Sequence, residues 1–272
     1  MFYRDIKLKI VVIMGLLFAT GFSNVAAVDN ENKVAVISII IDDIGYRYRE
    51  GKAAINLPGS LTYAILPHAP HTKMFAKLAH QQGKEVMLHM PMESEGAERK
   101  ESSVLVMDMT HSKFIETFRQ GIADVPHAVG VNNHQGSLLT RHPGDMAWVM
   151  AEVKQTNNWF FIDSRTTSKS VAMDIAREYD VPVLGRDVFL DHTRTVASIK
   201  KQYQYLLKLA LQKGHAVAIA HPYPETIEVL EEMLPELSAQ GVELVTISEQ
   251  LNLINQINLS QLDHQMQAEK QH

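Results

Sequence analysis

Asp42 and Asp43 stand side by side at the end of an apolar run, VAVISIII at 34–41. Two neighbouring carboxylates repel each other unless a cation or a proton relieves them, so the pair suits metal binding, proton transfer, or one role each. Other apolar runs along the chain also end on polar groups: His68, His89, Asn133 with His134, Asp163, Asp187 and Asp191, and His221. One such residue is ordinarily a loop cap or a satisfied core histidine. Seven recurrences point to a shared pocket. A carboxylate with two imidazoles and open positions suits Zn²⁺ or another first-row divalent ion, which polarises a carbonyl and lowers the pKa of bound water to about 7. Serine chemistry is less favoured, because no G-x-S-x-G elbow occurs and Ser137 and Ser164 lack an activated context. The absence of cysteine excludes disulfides, thiolate catalysis and Cys-based zinc sites.

The elements that must position these residues read as strands alternating with helices. Strands are expected at 34–42, 60–67, 85–91, 128–134, 159–164, 182–190, 215–221 and 243–247. Helical patterns fall at 72–82, 111–123, 145–156, 196–213 and 224–240, and Gly83, Gly214 and Gly241 close three of them as C-cap glycines do. Strands apolar on both faces and separated by helices are parallel β/α units. About eight in succession predict a (β/α) barrel, in which the C-terminal strand ends converge on one face. An open doubly wound sheet is the alternative, but no G-x-G-x-x-G or P-loop sequence is present to support it. No internal repeat or Pro/Ser-rich linker divides the domain.

Residues 1–27 carry an early positive charge at Arg4, Lys7 and Lys9, an apolar stretch from Ile10 to Phe18, and the small-residue ending Val25-Ala26-Ala27. This is the pattern of a secretory signal peptide cut after Ala27, followed by a short linker at 28–33; an uncleaved anchor is the alternative, for which the apolar run is short. No later apolar stretch is long enough to span a membrane, so a periplasmic or secreted protein is expected. The main domain is expected at 34–251 and a polar, fraying helical tail at 252–272. A net charge of -5 with scattered Lys and Arg gives no reason to expect a nucleic-acid partner.

The run Ile40-Ile41-Asp42-Asp43-Ile44-Gly45 resembles the Asp-Asp motif that opens polysaccharide deacetylases of the NodB-homology, carbohydrate-esterase type, and the run from Gly83 to His89 resembles the strand leading into their His-x-x-x-His metal pair. LHMPME at 88–93, NNHQGS at 132–137, FFIDSRT at 160–166, RDVFLDH at 186–192 and AHPYPET at 220–226 resemble, in this order, the divergent polysaccharide deacetylase branch, over about Val34 to Leu251. That resemblance implies a deformed (β/α)7–8 barrel with its active site at the C-terminal strand ends. It also implies a divalent metal, zinc in most members, and hydrolysis of acetyl groups on a polysaccharide. Asp42 would be the general base, Asp43 and His89 metal ligands, and His221 the general acid, oriented by Asp163 or Asp187. The family pattern breaks at its second metal histidine, where this chain has Glu93, and the Arg-x-Pro-Tyr motif is replaced by Asn132-Asn133-His134. His134 is therefore expected as the third ligand and Glu93 as its rival, with Asn133 and Asp187 as further ligands or supports. Peptidoglycan or an exopolysaccharide is the expected substrate class. The alternatives are a non-catalytic envelope protein binding a glycan or a protein, and a metal hydrolase cutting an ester or phosphoester.

Overall fold

A computed structural model describes residues 34–96, 103–156 and 158–269. The expected signal peptide, its cut after Ala27 and the linker at 28–33 lie outside the described residues. Nine strands form one all-parallel sheet among them: β1 (Ala35–Ile44), β2 (Thr62–Ile65), β3 (Glu85–Met92), β4 (Ala128–Gln135), β5 (Phe160–Asp163), β6 (Val183–Gly185), β7 (Val188–Phe189), β8 (His215–Ala220) and β9 (Val242–Leu244). Their order is β6-β5-β4-β3-β2-β1-β8-β7, with β9 beside the first residues of β1. Helices α1 (Tyr48–Ile55), α2 (Thr72–Gln81), α3 (His111–Asp124), α4 (Pro143–Gln155), α5 (Ala172–Glu178), α6 (Val196–Lys213), α7 (Pro224–Met233) and α8 (Ile247–Glu269) fill the connections and extend the C-terminus. No described helix is long and apolar enough to cross a membrane.

The sheet curls into a deformed barrel. The sequence predicts one strand at 182–190, and the structure splits it so that β6 pairs with β5 while β7 pairs with β8. Across the split, Arg186 N donates to Asp163 O at 3.0 Å and Asp187 N to Val217 O at 2.8 Å, so one segment joins the two ends of the sheet. A Cβ on Gly185 would lie 2.7 Å from the Arg165 side chain, which explains a glycine at this crossing. The helix expected at 224–240 also breaks, into α7 and two single 3₁₀ turns, because Pro235 has no N–H to continue the ladder. The short helices α1 and α5 were not anticipated.

Strand alternation sorts the core into two layers. Ile37, Ile39 and Ile41 of β1 join the outer cluster beneath the helices. Ile40, Ala64, Met87, Phe160, Ile162, Val217 and Ile219 form the inner one, closed at its base by Ile247 and Leu251 of α8. Gly130 makes room there for the Phe160 ring, which would lie 2.3 Å from a Cβ. The next inward positions, one step towards the strands' C-terminal ends, are Asp42, His89, Asn132, Ser164 and His221. The polar site thus rests on the apolar plug, in register with it. Beyond Leu251, α8 is half-buried to exposed, and its last described residue is Glu269.

Candidate metal centre

Alternation alone would send Asp43 to the opposite side of β1 from Asp42. The β1–β2 register shifts between Ile41 and Ile44, and Asp43 adopts a left-handed φ of 59°. This bulge turns both carboxylates towards the same cavity, a conformation Asp tolerates better than most residues. Asp43 Oδ1 lies 3.2 Å from His89 Nε2 and 3.0 Å from His134 Nδ1, and the two ring nitrogens are 3.1 Å apart. Ligand atoms held about 2.0–2.1 Å from a tetrahedral ion would be about 3.3 Å from one another. The triangle therefore has nearly the spacing that a zinc-sized ion needs.

Two observations support a fit. Asp43 Oδ1 is buried and makes no well-formed hydrogen bond; its polar neighbours are the ring nitrogens His89 Nε2 and His134 Nδ1, at 3.2 and 3.0 Å. The His89 ring is fixed from behind: Nδ1 donates to Asn132 Oδ1 at 2.7 Å, while Asn132 Nδ2 donates to Asp42 Oδ1 at 2.9 Å. This chain leaves the lone pair of His89 Nε2 directed at Asp43 and His134, the tautomer a ligand requires. Among the described residues, Asp43, His89 and His134 are the group able to hold a metal ion.

Asp42 is buried beside this group, its Oδ2 3.6 Å from His89 Nε2. Burial raises its carboxyl above the usual range and Asp43 adds to that, while His89, His221 and Asn132 pull the other way. Burial would raise Asp43 too, but the His134 and His89 rings outweigh it and hold Asp43 far below the ordinary carboxylate range. Adjacent carboxylates are thereby driven apart, one kept ionised and one able to take a proton.

His221, at the end of β8, faces the pair from across the cavity, with Nε2 3.8 Å from Asp43 Oδ2. Its Nδ1 donates to Asp191 Oδ1 at 2.9 Å, and its backbone N donates to Asp191 Oδ2 at 2.6 Å. Thr226 Oγ1 donates to the same Oδ2 at 2.9 Å. Burial alone would lower the His221 pKa; the bond to Asp191 and the charges of Asp191, Asp42 and Asp43 raise it instead.

Asp191 thus corrects the expectation that Asp163 or Asp187 orients His221. Asp163 lies on the opposite strand face from the inward Ile162 and Ser164, and its Oδ1 accepts from Arg165 N at 2.8 Å. Asp187 accepts from Val217 N at 2.9 Å and faces Lys213 at 3.4 Å. Glu93 is not a ligand either: it lies past the end of β3, where Oε2 accepts from Met107 N at 2.9 Å. Asn133 lines the cavity, but its amide is engaged with Ser164 N at 2.9 Å and Gln135 O at 2.7 Å. Asn132 and Asp191 were not singled out for these roles. Both were legible in principle, since Asn132 shares the strand parity of His134 and Asp191 follows its apolar run as the other site residues do.

The cavity has a volume of about 470 Å³ and is walled by Arg165, Arg186, Phe189 and His192 besides the polar centre. Ser164 is among the residues lining it, and its buried Oγ has no hydrogen-bond partner. The family model of the divergent polysaccharide deacetylases matches residues 39–251. The chain belongs to that family. It is 34% identical over 232 residues to the uncharacterised protein YibQ of Escherichia coli K12, covering 85% of this chain and 72% of that protein. An uncharacterised protein from Agrobacterium tumefaciens C58 superimposes with a TM-score of 0.76 at 22% identity, covering 79% of this chain and 88% of that one. The peptidoglycan deacetylase PdaC from Bacillus subtilis superimposes with a TM-score of 0.52 at 13% identity, covering 86% and 98%. Both structures share the curled parallel sheet of this family member.

Proposed function

We propose that this protein is a metal-dependent hydrolase that removes acetyl groups from an envelope glycan. The convergence of Asp43 Oδ1, His89 Nε2 and His134 Nδ1 beside Asp42 carries the reading. These three side chains would hold a divalent ion, for which one carboxylate and two imidazoles favour Zn²⁺; when bound, it supplies a Lewis acid for the acetyl carbonyl. Asp42 takes a proton from the attacking water, its basicity raised by burial. His221, with Nδ1–H committed to Asp191, directs Nε2 at the cavity and gives its proton to the departing sugar nitrogen. Ser164 Oγ offers the substrate a further hydrogen bond. An acid and a base on opposite walls are what amide hydrolysis requires.

Family membership favours a carbohydrate substrate, and the signal peptide read in residues 1–27 would deliver the enzyme to the periplasm or beyond, where peptidoglycan and exopolysaccharides lie. Acetate release from chitooligosaccharides and peptidoglycan fragments, with and without EDTA, tests the reading. EDTA-sensitive acetate release is expected. A protein that retains a divalent ion but cleaves only esters or phosphoesters, or one that binds glycans without turnover, would overturn it.

A further inference from the structure

A second cavity of about 250 Å³ adjoins the first, sharing Asp43 and His134 with it. Its far wall is made by Arg47, Arg194 and Tyr223, over apolar Leu66 and Pro222. Arg194 lies over Tyr223: its Cζ is 3.6 Å from the ring centroid, and Nη2 donates to Tyr223 Oη at 2.5 Å. Tyr223 in turn stacks on His221, with centroids 5.3 Å apart and planes 21° from parallel. The guanidinium is therefore registered to the proposed acid through two stacked rings.

The arginines differ in their partners. Arg119, Arg141 and Arg177, away from the cavity, each meet a carboxylate. Among the described residues the four arginines lining the two cavities, Arg47, Arg165, Arg186 and Arg194, meet none, nor does Arg49; of these, Arg186 donates to backbone carbonyls, whereas Arg194 is held on a tyrosine ring. An oriented guanidinium without a counter-ion is preorganised for a planar oxyanion, which it binds through two parallel N–H bonds; a lysine could not do this. Every Lys or Arg side chain lining the two cavities is an arginine. Arg47 and Arg194 share the second cavity with Asp43 and His134, so an anion held by them would lie beside the proposed reacting centre.

We propose that Arg47 and Arg194 form a subsite for a carboxylate on the glycan unit next to the one being deacetylated, so that the preferred substrate is an acidic polysaccharide. This rests on the deacetylase reading for its location but not for its measurement. Two tetrasaccharides of β-1,4-linked N-acetylglucosamine are compared, one neutral and one bearing a carboxylate on alternate sugars. Calorimetric binding to EDTA-treated full-length protein should favour the acidic one by about tenfold or more, the margin shrinking as salt is raised. Arg194→Gln and Arg47→Gln should each abolish the preference, bringing the acidic and neutral sugars to equal affinity, while Arg194→Lys should keep only part of it. Equal or weaker binding of the acidic sugar by the wild type, an undiminished preference in the glutamine variants, or tighter binding of a phosphorylated counterpart would each overturn the proposal. If the holoenzyme releases acetate from neither sugar, the deacetylase reading fails, while the binding comparison still decides the arginine subsite.

Discussion

The two walls of the main cavity are satisfied to different degrees. On the wall built by β1, β3 and β4, three ligand-type atoms crowd within 3.0–3.2 Å, and Asp43 Oδ1 makes no well-formed hydrogen bond. On the wall built by β7 and β8, Asp191 accepts from a ring, a backbone N–H and a hydroxyl, and none of its oxygens is orphaned. The difference fits the proposed division of work: a cation would complete the first wall, whereas the second is satisfied already and fixes one imidazole.

The largest expected effect follows from emptying the first wall. Asp43→Ala should abolish stoichiometric ion binding and lower acetate release by more than about 10³-fold. Because the two imidazoles stabilise the Asp43 carboxylate, the variant should also melt below the wild type in EDTA at neutral pH; added metal should raise the melting temperature of the wild type alone. Next, Asp42→Asn leaves the ligand triangle intact, so metal content should be retained while turnover falls about 10²–10⁴-fold, the range of a lost general base.

Breaking the second wall should cost less. In Asp191→Asn one of three donors meets an amide N–H; we expect full metal content, turnover reduced about 10–100-fold, and stability lowered by about 1–3 kcal/mol on chemical denaturation. The smallest effect tests a discarded ligand. Glu93→Ala should bind metal as the wild type does and lose about 1 kcal/mol of stability, in part through the orphaned Met107 N–H. A metal-binding defect in that variant would return Glu93 to the first wall.

The same division governs how much could be read from the sequence. Asp42, His89, His134 and His221 lie in or just past the C-terminal halves of β1, β3, β4 and β8 on the inward parity, so alternation and chain order suffice to bring them together. Asp43 shares the site only because of a bulge, which the adjacent Asp-Asp pair hinted at without showing its geometry. The second wall was harder, because the run at 182–190 divides its pairing between β5 and β8. That division obscures which acidic residue reaches the C-terminal face, and Asp187 was weighed where Asp191 belongs. Asp163 misled for a simpler reason: it is one residue off the inward parity of β5. The arginine cavity had no signal in the sequence, since Arg47 and Arg194 come from loops far apart in the chain.

The most direct test of the central claim is a divalent-ion titration of EDTA-stripped protein, comparing the wild type with His134→Ala. One ion per chain for the wild type, bound at least ~10²-fold more weakly or not at all by the variant, is the expected result. Unchanged binding in His134→Ala, or no binding by the wild type, would contradict a metal centre built from Asp43, His89 and His134.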